Sequence, residues 1–147
     1  MEYFHDLKHF PTHSIVFLDI DGTFTGEGSW EVSETALEAI KRLKKTNEVY
    51  LCSNGKNEKR KAHFAKVVDV PLLKTSLRKP NKEIVLLVPN KSDKPLVVIG
   101  NLAFKDGRLA KNSGAQFIKV KTLLGPDDTL FSRFIYWIDD HLILPLL

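Results

Sequence analysis

Residues 14–23 read Ser-Ile-Val-Phe-Leu-Asp-Ile-Asp-Gly-Thr, and this stretch decides the fold. From Ser14 to Leu18 it is apolar and β-branched, and it meets its first acid at Asp19, the pattern of a strand buried on both faces. Such a strand needs helices above and below it, which places it at the centre of a parallel sheet. The glycine- and hydroxyl-rich run from Asp21 to Trp30 predicts a loop or small hairpin after it. Ser33 then reads as the N-cap of a helix whose apolar side is Ala36, Leu37, Ile40 and Leu43.

Farther along, the same alternation recurs. Glu48 to Cys52 predicts a second strand, running into Ser53-Asn54-Gly55, and a polar helix follows from about Asn57 to Val68. Pro71-Leu72-Leu73 reads as a short strand and Asn81 to Val88 as a brief helix. Pro95 to Ile99 is a third buried strand ending at Gly100-Asn101, and a helix over 104–112 closed by Gly114 leads to a last strand, 116–120. Strand and helix in repeated order predict an α/β, Rossmann-like three-layer sandwich with a mostly parallel central sheet and no large cap.

The 147 residues are the length of one domain, 1–147, and 43% of them are apolar, enough for a core without staples. Cys52 is the only cysteine, so a disulfide framework is excluded. The apolar-rich run 130–147 is broken by Arg133, Asp139, Asp140 and His141, short of the roughly 20 residues that span a bilayer. No basic, apolar signal opens the chain, and the expectation is a cytoplasmic protein. A net charge of +4 favours anionic ligands without choosing among them. Nucleic acid is not the expected partner, because aromatic platforms for single strands are missing.

In an open parallel sheet, ligands bind beyond the carboxyl ends of the strands. Those ends carry Asp19 with Asp21, Ser53 with Asn54, and Asn101 followed by Asp106. Clustered carboxylates repel one another unless a hard cation lies between them, and magnesium held through oxygens is the expected ion.

Phe17-Leu18-Asp19-Ile20-Asp21-Gly22-Thr23 resembles the first motif of the haloacid dehalogenase-like (HAD) phosphohydrolases, and Ser53, Lys79 and an acid after a later strand follow in order. The resemblance implies a phosphatase in which Asp19 is the nucleophile that takes the phosphoryl group and Asp21 is the general acid and base. Lys79 would neutralise charge on the nucleophile and the moving phosphoryl group. Thr23 would bond the loop or the second acid. Ser53 and Asn54 would hold phosphate oxygens at the mouth of a helix. Asp19, Asp21, Asn101 and Asp106 would hold Mg2+.

Ser53-Asn54 leading to Lys59-Arg60, Lys79-Pro80, and Val97 to Gly100 leading to Asp106 and Asn112-x-Gly114 look like the cap-less branch that includes phosphatidylglycerophosphate phosphatases. By that likeness the substrate is a phosphomonoester on a lipid head group, met at a membrane surface by a peripheral protein. A small-metabolite or nucleotide phosphatase is one alternative. Another is a catalytically impaired HAD-fold binding or regulatory module, because the family's fourth motif usually begins Gly-Asp and here reads Gly100-Asn101.

Other features have plainer readings. His5, His9 and His13 are spaced by four, but Pro11 breaks any helix they would share, so they read as surface or packing residues. Cys52 reads as a small buried side chain, and the basic run Lys56 to Lys66 as a solvated helix face. Phe131, Phe134, Ile135, Trp137, Ile138 and Leu142 recur at helical spacing, which predicts packing against the sheet, with a membrane-facing helix as the alternative.

Overall fold

The structure, a computed structural model, describes residues 1–147. Strands β1 (Ile15–Leu18), β2 (Glu48–Leu51), β3 (Leu96–Gly100) and β4 (Gln116–Lys119) form one sheet in the order β2-β1-β3-β4, every neighbouring pair parallel. β1 lies at the centre, with Val16 opposite Val49 and Val97, and Phe17 opposite Tyr50 and Val98. All four of its residues are buried, as a strand covered on both faces requires.

Alternation sends the side chains into two cores. Val16, Leu18, Val49, Leu51, Val97 and Ile99 pack on one face against helices α1 (Glu34–Thr46) and α2 (Glu58–Val68), which supply Ala36, Ala39, Ile40, Leu43, Phe64 and Val68. On the other face Ile15, Phe17 and Val98 meet Ile84, Val88, Leu109 and Ala110, from a 3-10 turn (Lys82–Leu87), the residue that follows it, and helix α3 (Arg108–Ser113). The result is an α/β, Rossmann-like three-layer fold without a large cap. Caps set the boundaries: Ser33 Oγ accepts the Ala36 N–H at 3.1 Å, Asn57 Oδ1 accepts that of Arg60 at 3.0 Å, and Gly114 turns left-handed at φ 69° to end α3.

Three expected elements differ. Residues 71–73 make only a bridge between Leu72 and Leu51, since Pro71 has no N–H to continue a ladder. The helix expected over 104–112 is two pieces, a π turn (Ala103–Gly107) and then α3; the wider turn lets the Leu102 carbonyl accept from both Asp106 N (2.8 Å) and Gly107 N (3.2 Å). The third difference lies in helix α4 (Leu130–Ile138), which is continued by a π turn (Asp139–Ile143).

The aromatic face of α4 does not pack on the sheet. Leu130, Phe131, Phe134, Ile135, Trp137 and Leu142 are exposed, and no residue of α4 is buried. The polar side faces inward instead. Tyr136 Oη donates to Asp128 Oδ1 at 2.6 Å, Asp139 accepts the Ala103 and Phe104 amides at 2.7 and 2.8 Å, and Asp140 pairs with Lys119 at 2.6 Å. No helix is long and apolar enough to cross a membrane.

Candidate active site

From β1 the chain proceeds to β2 on one side, while β3 flanks β1 on the other, so the connections diverge above the β1 and β3 ends and leave a crevice. Asp19 follows β1 there, a residue only 8% exposed, its amide donating to the Ile99 carbonyl at 3.0 Å. A tight turn then lifts Asp21 over the sheet edge. Gly22, at φ 78°, donates to the Thr25 carbonyl at 2.7 Å, and Thr23 Oγ1 donates to Asp19 Oδ2 at 2.9 Å. A Cβ at Gly22 would collide with the Asn101 carboxamide, so both space and backbone angle demand glycine.

Lys79 reaches this point from the far side. Its peptide is clamped by Asn54, whose Oδ1 accepts the Lys79 N–H at 2.8 Å and whose Nδ2 donates to the Lys79 carbonyl at 3.1 Å. Lys79 Nζ donates to Asp19 Oδ1 at 2.8 Å and to Asp106 Oδ1 at 2.7 Å. Burial alone would push the Lys79 ammonium down, but the Asp106 and Asp19 carboxylates outweigh it and hold the group above the ordinary lysine value. Asp106, tucked under Gly100 and accepting the Leu102 amide at 3.2 Å, is pushed up by burial and by Asp19, against the pull of Lys79.

Asp21 is gripped differently. Its Oδ1 lies 2.6 Å from Arg60 Nη2, an ionic contact off the axis of a linear hydrogen bond. Arg60 also donates to the Ser29 carbonyl at 2.9 Å and the Gly26 carbonyl at 3.2 Å, with its guanidinium over the Phe64 ring. The run 56–66 is therefore not a uniformly solvated face: Arg60 and Lys61 are buried within it. Ser53 and Asn54 stand in a loop, five and four residues before α2 begins at Glu58, and not at its first turn. Ser53 Oγ accepts the Gly55 amide at 3.0 Å and lines the pocket.

Asn101 follows β3, with its backbone carbonyl bonded by Lys119 Nζ. With no cation beside it, its carboxamide is satisfied at both ends only with the nitrogen inward. With the oxygen inward, that atom lies 3.0 Å from Asp19 Oδ2 and 3.1 Å from the Asp21 carbonyl; with the nitrogen inward, the amide donates to both. Thr122 Oγ1, 3.1 Å from the outer end, serves either orientation because a hydroxyl can donate or accept. With the oxygen inward, Asn101 Oδ1, Asp19 Oδ2 and the Asp21 carbonyl would together offer a hard cation three oxygen ligands. No group of three or more carboxylate, imidazole or thiol side chains is gathered at one point, so a cation here would draw on amide and backbone oxygens as well.

The pocket above these residues is about 370 Å³, and only two of its thirteen lining residues are hydrophobic, which suits a charged ligand. Asp19, Asp21, Ser53, Asn54, Lys79, Asn101 and Asp106 all line it; Thr23 is buried beneath. The sequence reading had not placed Glu27, Lys56, Lys105 or Tyr136 in its wall. Glu27 is raised above the ordinary carboxylate value, first by burial and then by the charge of Asp21.

No family model and no curated protein matches this chain. A solved structure does: the magnesium-bound HAD-hydrolase YfnB of Bacillus subtilis, with a TM-score of 0.51 and 16% identity. The match covers 76% of this chain and 58% of that one. At that identity the likeness concerns architecture alone, and this chain shares its α/β fold with that HAD-hydrolase.

Proposed function

We propose that this chain is a magnesium-dependent phosphomonoester phosphatase that works through an aspartyl-phosphate on Asp19. The observation that carries the reading is the triad at the strand ends, in which Lys79 Nζ bonds Asp19 Oδ1 and Asp106 Oδ1 together in a polar pocket.

In this reading an Asp19 oxygen attacks phosphorus as the bond to the leaving oxygen breaks, and Asp21 gives that oxygen its proton. Asp21 then takes a proton from water, whose oxygen attacks the phosphoryl group and frees Asp19. Arg60 occupies Asp21 Oδ1, so the proton moves at Oδ2. Lys79 holds Asp19 Oδ1 through its ammonium and offsets the charge that builds on the phosphoryl oxygens. Thr23 fixes Asp19, Asn54 fixes Lys79, and Ser53 offers its hydroxyl to a phosphate oxygen. Magnesium, held by Asp19, Asn101 and the Asp21 carbonyl with Asp106 nearby, would supply further positive charge for the attack. The magnesium bound to YfnB supports that choice of ion.

The substrate we favour is a phosphomonoester displayed on a lipid surface. Tyr136 lines the pocket from a helix whose apolar face is turned outward, so the site opens beside a surface suited to a bilayer interface. The test is phosphate release from an aryl phosphate and from phosphatidylglycerophosphate in vesicles, with Mg2+, against Asp19→Asn. Release by the wild type alone supports the phosphatase; inertness of both proteins on every phosphomonoester overturns it. Faster turnover of soluble sugar or nucleotide phosphates than of vesicles overturns the lipid part.

A further inference from the structure

The two oxygens that meet the Asn101 carboxamide, Asp19 Oδ2 and the Asp21 carbonyl, can both only accept. Something positive or something that donates must lie against them. Asp19 Oδ2 has the Thr23 hydroxyl as well, whereas no other N–H or O–H of the chain reaches the Asp21 carbonyl. Asn101 is 2% exposed, so water is not a ready substitute. The seat is also enforced from outside, since any side chain at Gly22 would strike the carboxamide.

We propose that the Asn101 side-chain nitrogen is a built-in stand-in for the divalent cation. Without the ion, the amide turns its nitrogen inward and bridges Asp19 Oδ2 and the Asp21 carbonyl, so the site is assembled. When the ion binds, the carboxamide reverses and presents its oxygen. The reversal is a rotation of the terminal amide alone; the backbone stays tied to Lys119, and Thr122 changes from donor to acceptor or back without moving. An aspartate at this position could do only half of this. It would serve the ion well, but in its absence it would add a third carboxylate beside Asp19 and Asp106, with Lys79 the one ammonium bonded between those two. The asparagine thus exchanges ion affinity for an ion-independent fold.

The inference rests on the magnesium reading above for the identity of the ion, but its test needs no turnover. Thermal unfolding of the wild type and of Asn101→Asp is compared in EDTA and in Mg2+. The expected result is that Asn101→Asp melts at least about 5 °C below the wild type in EDTA and that Mg2+ closes the gap, while the wild type moves little. Calorimetry should show Mg2+ binding at least tenfold tighter to Asn101→Asp. Equal melting of the two proteins in EDTA, or a gap that Mg2+ leaves open, overturns the proposal.

If Asn101→Asp does not fold even with Mg2+, the wild type answers by nuclear magnetic resonance. Both Asn101 side-chain amide protons should be protected from exchange in EDTA, and as Mg2+ is added only the one that bonds Thr122 should stay protected. Unchanged protection overturns the proposal. An inert wild type that nonetheless behaves this way would sink the phosphatase reading and leave the amide's role standing.

Discussion

Lys79 Nζ lies 2.7 Å from Asp106 Oδ1, and both side chains are sealed from solvent. With Asp19 on the same ammonium, two carboxylates share one positive charge in the interior. The lysine cannot be lost without bringing like charges face to face, whereas one acid can be neutralised with less harm. Lys79→Met should therefore cost about 3–5 kcal/mol, and Asp106→Asn far less. Urea unfolding at pH 7.5 checks this, and equal losses for the two variants would contradict it.

The same triad should set a dependence on pH. Burial, and then the charge of Asp19, lift Asp106 from the usual carboxylate range to about 6, against the pull of Lys79. A raised acid favours the fold while it is protonated, so its contribution is complete below the unfolded-chain value and is lost as pH rises through about 6. Between pH 4 and 7 the wild type should lose stability relative to Asp106→Asn. Parallel unfolding midpoints across that range would contradict the assignment.

Arg60 joins Asp21 to the carbonyls of Gly26 and Ser29, a fork that lysine cannot reproduce. Arg60→Lys should lower kcat about 10- to 100-fold, an order of magnitude expected when a general acid is misplaced, and should change KM little. Asp19→Asn should lower it by at least about 10⁴, as loss of a nucleophile does. Steady-state kinetics on the aryl phosphate checks both.

The outward face of α4 makes a different prediction. Phe134→Ser and Trp137→Ser should each change stability by no more than about 0.5 kcal/mol, because both residues are about half exposed and their rings stack at the surface, on each other and, for Trp137, on His141. Phe17→Ala, in the sealed core, should cost about 3–5 kcal/mol. If the face meets lipid, the same two surface variants should sediment with anionic vesicles at least tenfold less well.

Cys52, 5% exposed, has its thiol pushed up to about 11 by burial. Its reaction with an aromatic disulfide at pH 8 should be slow in the folded protein and become fast in urea. Rapid labelling of the native chain would show that the β2 end is open.

The path of the central strand was legible in residues 14–19, because an unbroken apolar run ending in an acid has few other placements. The Ser33 cap and the Gly114 stop were legible for the same local reason. Arg60 was not. By spacing it matches its basic neighbours, and the carbonyls that draw it inward lie more than thirty residues earlier. Nor could periodicity orient α4. It marks which side is apolar, but three polar bonds, through Tyr136, Asp139 and Asp140, decide which side turns inward. Asn54 was read as a phosphate ligand because of its position after a strand. Its side chain is bonded to the Lys79 peptide, a pairing across 25 residues that sequence spacing does not reveal.

Asp139 is the sole side-chain acceptor for the amides of Ala103 and Phe104, which open the turn that presents Asp106. The carboxyl-terminal arm is therefore a strut beneath the pocket floor. A chain trimmed before Asp139 would keep every strand and every residue proposed for chemistry, yet it would strand two amides and slacken the turn carrying the acid.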